Sequence, residues 1–182
     1  MIADSLLEAL GKPEKDVFIV SPYFVPSKWG MAALRDLTAN NVKVTVLTNS
    51  LRATDVAAVH SGYARYRKDL LNAGVELYEV KPDFAPPKIR DKGLTGSSTT
   101  SLHAKTFVVD GKRVFIGSLN FDPRSARLNT EMGMVIDHAG IAGDMRHELE
   151  KITPQYAYKV VMYKQRKRLR WQAPDRPYVV LQ

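Results

Sequence analysis

Apolar and polar positions follow two rhythms along the chain. Residues 17–20, Val-Phe-Ile-Val, form a short, wholly apolar run, the pattern of a strand buried on both faces. Ser21-Pro22 interrupts it, and Met31, Leu34 and Leu37 then recur at helical spacing. Residues 42–47 turn to a period of two, with Val42, Val44 and Val46 set against Lys43 and Thr45. Val56, Val59, Tyr63, Tyr66 and Leu70 predict one longer helix, and residues 75–80 a third strand. This β-α-β-α-β order predicts parallel strands joined by right-handed crossovers.

Both rhythms then lapse. Pro82, Pro86, Pro87 and a Gly/Ser/Thr stretch running to Ser101 predict a long loop, of the length that lids and binding loops have. A meander follows. Residues 101–110 read as a strand, Asp110-Gly111 as a tight turn, and 113–118 as the returning strand. A Pro-containing loop at 122–127 leads to a strand over 128–136. Ile141, Met145, Leu149 and Ile152 mark a last helix, and further strands are expected at 158–163 and 178–181. No internal repeat is present. The reading is one α/β domain over residues 1–182, a mixed β-sheet flanked by helices.

Composition narrows the classes. With 182 residues there is enough chain for one domain with a real core. Cysteine is absent, which excludes a disulfide scaffold, a thiolate nucleophile and Cys-ligated metal. No apolar run approaches the roughly 18–20 residues of a membrane span, and Met1–Leu10 lacks the pattern of a signal peptide. The net charge of +8 is concentrated in a basic tail, residues 151–182. Lys151, Lys159, Lys164, Arg166, Lys167, Arg168, Arg170 and Arg176 face a single acid there, Asp175, whereas the first 150 residues are close to neutral. Such a tail suits an anionic membrane surface or, as a second reading, nucleic acid.

The chemistry-bearing residues come in pairs two apart, the spacing that puts both side chains on one face of a strand. They are His103/Lys105, Ser118/Asn120 and Asn129/Glu131, on segments expected to lie side by side among Leu102, Phe107, Val108, Val109, Phe115, Ile116, Met132 and Met134. A histidine can attack phosphorus or deliver a proton. A lysine can hold a phosphoryl oxygen and meet the charge of the transition state. Ser118 and Asn120 can add hydrogen bonds to the same oxygens, and Glu131 can fix the imidazole tautomer. The set suits a phosphate diester. No Asp/Glu cluster suggests a divalent metal and no cofactor is expected, the lysine supplying the positive charge.

The order His103-x-Lys105-x4-Asp110-x6-Gly117-Ser118-x-Asn120 resembles the signature of the phospholipase D superfamily, and Glu131 falls where that family places an acidic partner of the histidine. The likeness spans residues 97–124 most sharply. SPYFVP (21–26), LTNS (47–50), Thr54-Asp55, His60-Ser61-Gly62-Tyr63, Asn120–Ser125 and Leu169-Arg170-Trp171 are similar to bacterial cardiolipin synthases, the C type most of all. The resemblance implies catalytic roles for His103, Lys105, Asp110 and Glu131, substrate binding by Ser118 and Asn120, no metal, and a phosphohistidine intermediate in transfer of a phosphatidyl group between alcohols or to water. It implies a phospholipid substrate and a bacterial protein peripheral to the inner membrane, on its cytoplasmic side. Enzymes of this kind use two signature copies, and this chain has one. The resemblance therefore implies a partner: an N-terminal half carrying the second motif, or a second copy of the chain. A single-motif nuclease acting as a homodimer, and a non-catalytic module binding anionic lipid or nucleic acid, are the alternatives.

Other residues carry plainer expectations. His138 and His147 are expected at the surface. His60 is expected as a packed histidine or a pocket residue, Tyr23 and Phe24 as core or acyl-side aromatics, and Trp171 at a membrane interface.

Overall fold

The computed structural model describes residues 8–54, 56–82, 102–127, 130–163, 168–174 and 176–180. Strands β1 (Asp16–Val20), β2 (Lys43–Asn49) and β3 (Glu76–Val80) alternate with helices α1 (Ser27–Ala39), α2 (Ala57–Ala64) and α3 (Arg67–Asn72). Then come β4 (Thr106–Val109), β5 (Arg113–Gly117), α4 (Pro123–Arg127), β6 (Gly133–Asp137), α5 (Ala139–Tyr156), β7 (Ala157–Tyr163), β8 (Arg168–Ala173) and β9 (Arg176–Val180). All nine strands form one sheet in the order β6-β5-β4-β1-β2-β3-β7-β8-β9. β1, β2 and β3 are parallel and every other pairing is antiparallel, so the sheet is mixed, as the sequence leads one to expect.

The strands' alternation divides the core between two faces. Val17, Ile19, Val44, Val46, Leu77, Phe107 and Val160 meet Met31, Leu34, Tyr63 and Leu70 of α1–α3 on one side. Phe18, Val20, Val80, Val108 and Val114 meet Ala142 of α5 on the other. Each such aliphatic side chain removed from water contributes roughly 1.5–3 kcal/mol against chain entropy.

Four expectations are corrected. The single helix expected from Val56 to Leu70 is two, broken by a tight turn in which the Tyr66 N–H bonds the Tyr63 carbonyl at 2.8 Å. The apolar spacing runs through the break because the backbone stays near helical there, with Arg65 at φ −64° and Tyr66 at φ −89°. The strand expected over 101–110 begins only at Thr106, leaving His103 and Lys105 in the segment that leads into it. The strand expected over 128–136 begins only at Gly133. β8 was not anticipated at all. Its basic residues mask the alternation of Leu169, Trp171 and Ala173 with Arg168, Arg170 and Gln172. The long loop expected up to Ser101 falls largely outside the described residues, as do Asn129 and Asp55 and the tail cations Lys164, Arg166 and Lys167.

Candidate active site

Register brings the signature residues to one end of the sheet. Val20 at the end of β1 pairs with Thr106 at the start of β4, and Thr106 pairs with Ile116 near the end of β5. Gly117 pairs with Gly133 at the start of β6. His103, Lys105, Ser118, Asn120 and Glu131 therefore gather where β1, β2 and β5 end and β4 and β6 begin. They occupy the connecting segments, not the strands, so the expected two-residue spacing does not give a shared face. His103 is exposed while Lys105 is only 8% exposed.

Backbone and side-chain bonds tie this end together. Lys105 Nζ donates to the His103 carbonyl at 2.8 Å, and the Gly117 N–H donates to the Lys105 carbonyl at 3.2 Å. Ser118 Oγ donates to Glu131 Oε2 at 2.5 Å and accepts from the Met132 N–H at 2.9 Å, clamping β5 to the approach of β6. Ser21 Oγ accepts from the Phe121 N–H at 2.9 Å, and the Val25 N–H donates to the Phe121 carbonyl at 2.7 Å. These bonds fix the segment after Asn120 against the end of β1. Asn120 is 9% exposed, and its Oδ1 has no hydrogen-bond partner among the described residues. A buried acceptor left unmade costs about 1–3 kcal/mol, so a polar group here stands ready for a donor that binds.

Asp110 is elsewhere. It closes the far end of β4, where Asp110 and Gly111 both take positive φ, 55° and 60°, in the turn to β5. Its carboxylate accepts from the backbone N–H groups of Glu14, Lys15 and Asp16 at 2.7–3.1 Å. Partial burial raises its pKa, but those three bonds outweigh it and hold the carboxyl below the ordinary range. The structure thus separates Asp110 from the other signature residues by the length of β4, at the start of β1. Ile116, Met132 and Met134, expected around the cluster, point outward, Met132 being 81% and Met134 62% exposed. Phe24 is core, stacked on Phe121 at 4.9 Å. His138 caps α5 by accepting from the Ile141 N–H, and His138 and His147 are both exposed. Among the described residues no group of His, Cys, Asp and Glu could hold a metal ion.

Beneath the end of β2 lies a buried polar cluster that the sequence reading missed, apart from His60. Glu79 is fully buried and accepts from Tyr63 Oη at 2.9 Å, Arg67 Nε at 2.7 Å, an Arg67 terminal nitrogen at 3.0 Å and Trp171 Nε1 at 2.9 Å. Burial pushes the Glu79 carboxyl up, while Arg67, Tyr63 and Trp171 pull it back towards the ionised form. A signal was present. Glu79 falls on the same strand face as Val75 and Leu77, and Arg67 on the same helical stripe as Tyr63 and Leu70. An Arg67 terminal nitrogen also meets His60 Nε2 at 2.8 Å. Burial first and the Arg67 charge second lower the His60 pKa from 6.5 to about 4.

The unfolded chain therefore takes up a proton between about pH 6.5 and 4 that the folded chain refuses. Stability is expected to fall as pH drops through that window, by at most about 3 kcal/mol from this group. Urea midpoints at pH 7 and pH 4.5 measure it, and His60→Gln should remove that part of the slope.

The family model described as cardiolipin synthase, phospholipase D-like domain, matches residues 6–153. The chain belongs to the phospholipase D-like family. Cardiolipin synthase C of Escherichia coli (strain K12) is 53% identical over 143 residues, which are 78% of this chain and 30% of that protein. The chain thus spans under a third of the length of that relative. Among solved structures, the phospholipase D family member Nuc of Salmonella typhimurium superposes with a TM-score of 0.64 at 18% identity, covering 86% of this chain and 89% of that one. The phosphatidylserine synthase of Haemophilus influenzae gives a TM-score of 0.62 at 15% identity, covering 87% of this chain and 36% of that one. At those identities the likeness is one of fold, and it agrees with the mixed sheet of this phospholipase D-like domain.

Proposed function

We propose that this domain is one catalytic half of a phosphatidyltransferase that makes cardiolipin from phospholipids. The observation that carries this reading is the gathering of the signature residues other than Asp110 at one end of the sheet: a buried lysine, a buried asparagine and a solvent-facing histidine. The imidazole of His103, or of its counterpart in the second motif, attacks phosphorus and displaces the first alcohol. The other histidine gives that alcohol its proton. A second alcohol, its proton taken by that same counterpart histidine, then attacks the phosphohistidine and returns the imidazole. Lys105 Nζ and the Asn120 amide N–H group hold the phosphoryl oxygens, the Ser118 hydroxyl joins them by turning its proton from Glu131, and Asp110 serves the catalytic end indirectly by fixing the β4–β5 turn to β1.

Two histidines are needed because the nucleophile starts neutral and its counterpart starts protonated. The exposed strip of Ile116, Met132 and Met134 beside the site receives the second motif, whether from an N-terminal half or a second copy. Among the described residues no helix is long and apolar enough to cross a membrane. The run of basic residues Lys164, Arg166, Lys167, Arg168 and Arg170 supplies peripheral attraction to the anionic cytoplasmic leaflet of a bacterial inner membrane.

The test is an assay on phosphatidylglycerol vesicles with particle mass measured by light scattering and binding by sedimentation. Particles with a single motif should show negligible turnover, particles with two should form cardiolipin, and binding should weaken as salt rises. Robust transfer by a confirmed monomer would refute the two-histidine argument. Cleavage of DNA without lipid turnover, with a steep salt slope, would favour the nuclease reading.

A further inference from the structure

The segment that presents His103 is gripped by a residue outside the signature. Asn49 ends β2 and is buried. Its Oδ1 accepts from the Leu102 N–H at 2.9 Å, and its Nδ2 donates to the Leu102 carbonyl at 3.2 Å. One side-chain amide thus pairs with both polar groups of the residue next to His103, as a neighbouring strand would. On the other side of His103, Lys105 holds the His103 carbonyl and β5 holds the Lys105 carbonyl. The histidine is slung between these two anchors.

Asn49 is itself held from below. Arg67 has only donors, so His60 Nε2 accepts from it and the other ring nitrogen carries the proton. That nitrogen can only donate, and the Asn49 backbone, which hydrogen-bonds His60, meets it with its carbonyl. Arg67 in turn is locked to Glu79 by two bonds, and Glu79 to Tyr63 and Trp171. A continuous set of bonds therefore runs from β8 through β3, α3 and α2 to the end of β2 and on to Leu102.

We propose that Asn49 is a positioning residue for His103, its amide setting the Leu102 peptide and its own backbone set by His60 and the Arg67–Glu79 pair. The proposal rests on the reading of His103 as a reacting group in phosphatidyl transfer. A misplacement of about 1 Å in a reacting atom can cost roughly 10²-fold in rate, while substrate is held by other groups, Lys105, Ser118 and Asn120. The signature of the role is a fall in kcat with KM kept.

In the full-length protein with phosphatidylglycerol, Asn49→Ala should lower kcat at least tenfold and leave KM within twofold. Hydrogen exchange of the peptide carrying Leu102 should quicken in the same variant. His60→Gln keeps an acceptor for Arg67 and a donor for the Asn49 carbonyl, and should lose less kcat than His60→Ala. If Asn49→Ala does not fold, Asn49→Asp carries the test. It keeps the acceptor for the Leu102 N–H, turns a charge on the Leu102 carbonyl, and should lower kcat in the same way. His103→Ala separates the two failures. If that variant is inactive while Asn49→Ala, or Asn49→Asp in its place, keeps kcat within twofold of wild type, the positioning role is overturned and the function stands. If His103→Ala turns over normally, the function reading falls and this proposal falls with it.

Discussion

Replacing His103 with alanine is expected to abolish turnover of the complete enzyme, by at least about 10³-fold, with the fold intact. The two halves of that expectation have separate causes. His103 is exposed, and its backbone carbonyl, which alanine keeps, accepts the bond from Lys105. Stability should therefore move by about 0.5 kcal/mol or less. On the proposed reading, the rate loss follows from removing the nucleophile or the essential acid. Lys105→Met tests the neighbouring role with little change in buried volume, and should also lose most activity because the charge that meets the transition state is gone. Calorimetry beside the lipid assay checks both. Activity of His103→Ala within tenfold of wild type would remove the residue from the chemistry.

The largest effect on stability is expected at Glu79. Alanine there leaves the Arg67 guanidinium buried with its carboxylate gone, and strips Tyr63 and Trp171 of their acceptor. Breaking a buried ion pair in this way costs about 3–5 kcal/mol, a large share of the roughly 5–15 kcal/mol that holds a domain folded. For a chain of this size the melting temperature should fall by about 6–20 °C. The pair's net worth is a different quantity. The Glu79→Leu, Arg67→Met double variant removes both charges and should lose less than Glu79→Ala alone. A double variant worse than the single one would show that the ion pair itself, and not the avoidance of a lone buried charge, stabilises the fold.

The parallel core was legible because strands buried on both faces write themselves as apolar runs, as in Val17–Val20, and helices as periodic stripes. The candidate site was legible because the residues proposed to hold phosphate lie close together in the chain. Part of what escaped has one physical cause: polar residues doing buried work. Glu79 and Arg67 sit at core positions of a strand and a helix, where charge usually marks the solvent side. β8 escaped for another reason, since it is a largely half-buried strand on which exposed Arg168 and half-buried Arg170 interrupt the apolar alternation. Asn49 reads as an ordinary strand end, and only the fold brings it to Leu102, 53 residues away. The mismatch at His103 and Lys105 is of another kind. A two-residue spacing predicts a common face only if the backbone is a strand, and here the strand starts only at Thr106, after both residues.

The chain's two tryptophans occupy opposite environments. Trp171 is half-buried, hydrogen-bonded to Glu79 and stacked on Tyr158 with ring centres 5.0 Å apart. Trp29 stands exposed on the first turn of α1. Indole emission shifts to the red as its surroundings become more polar, so the protein's intrinsic fluorescence is the sum of a sheltered and a wetted emitter. Replacing Trp29 with phenylalanine leaves a single optical probe wired to the buried carboxylate. The emission of that variant then reports whether the last strands are still latched to the rest of the sheet, and it does so without any label.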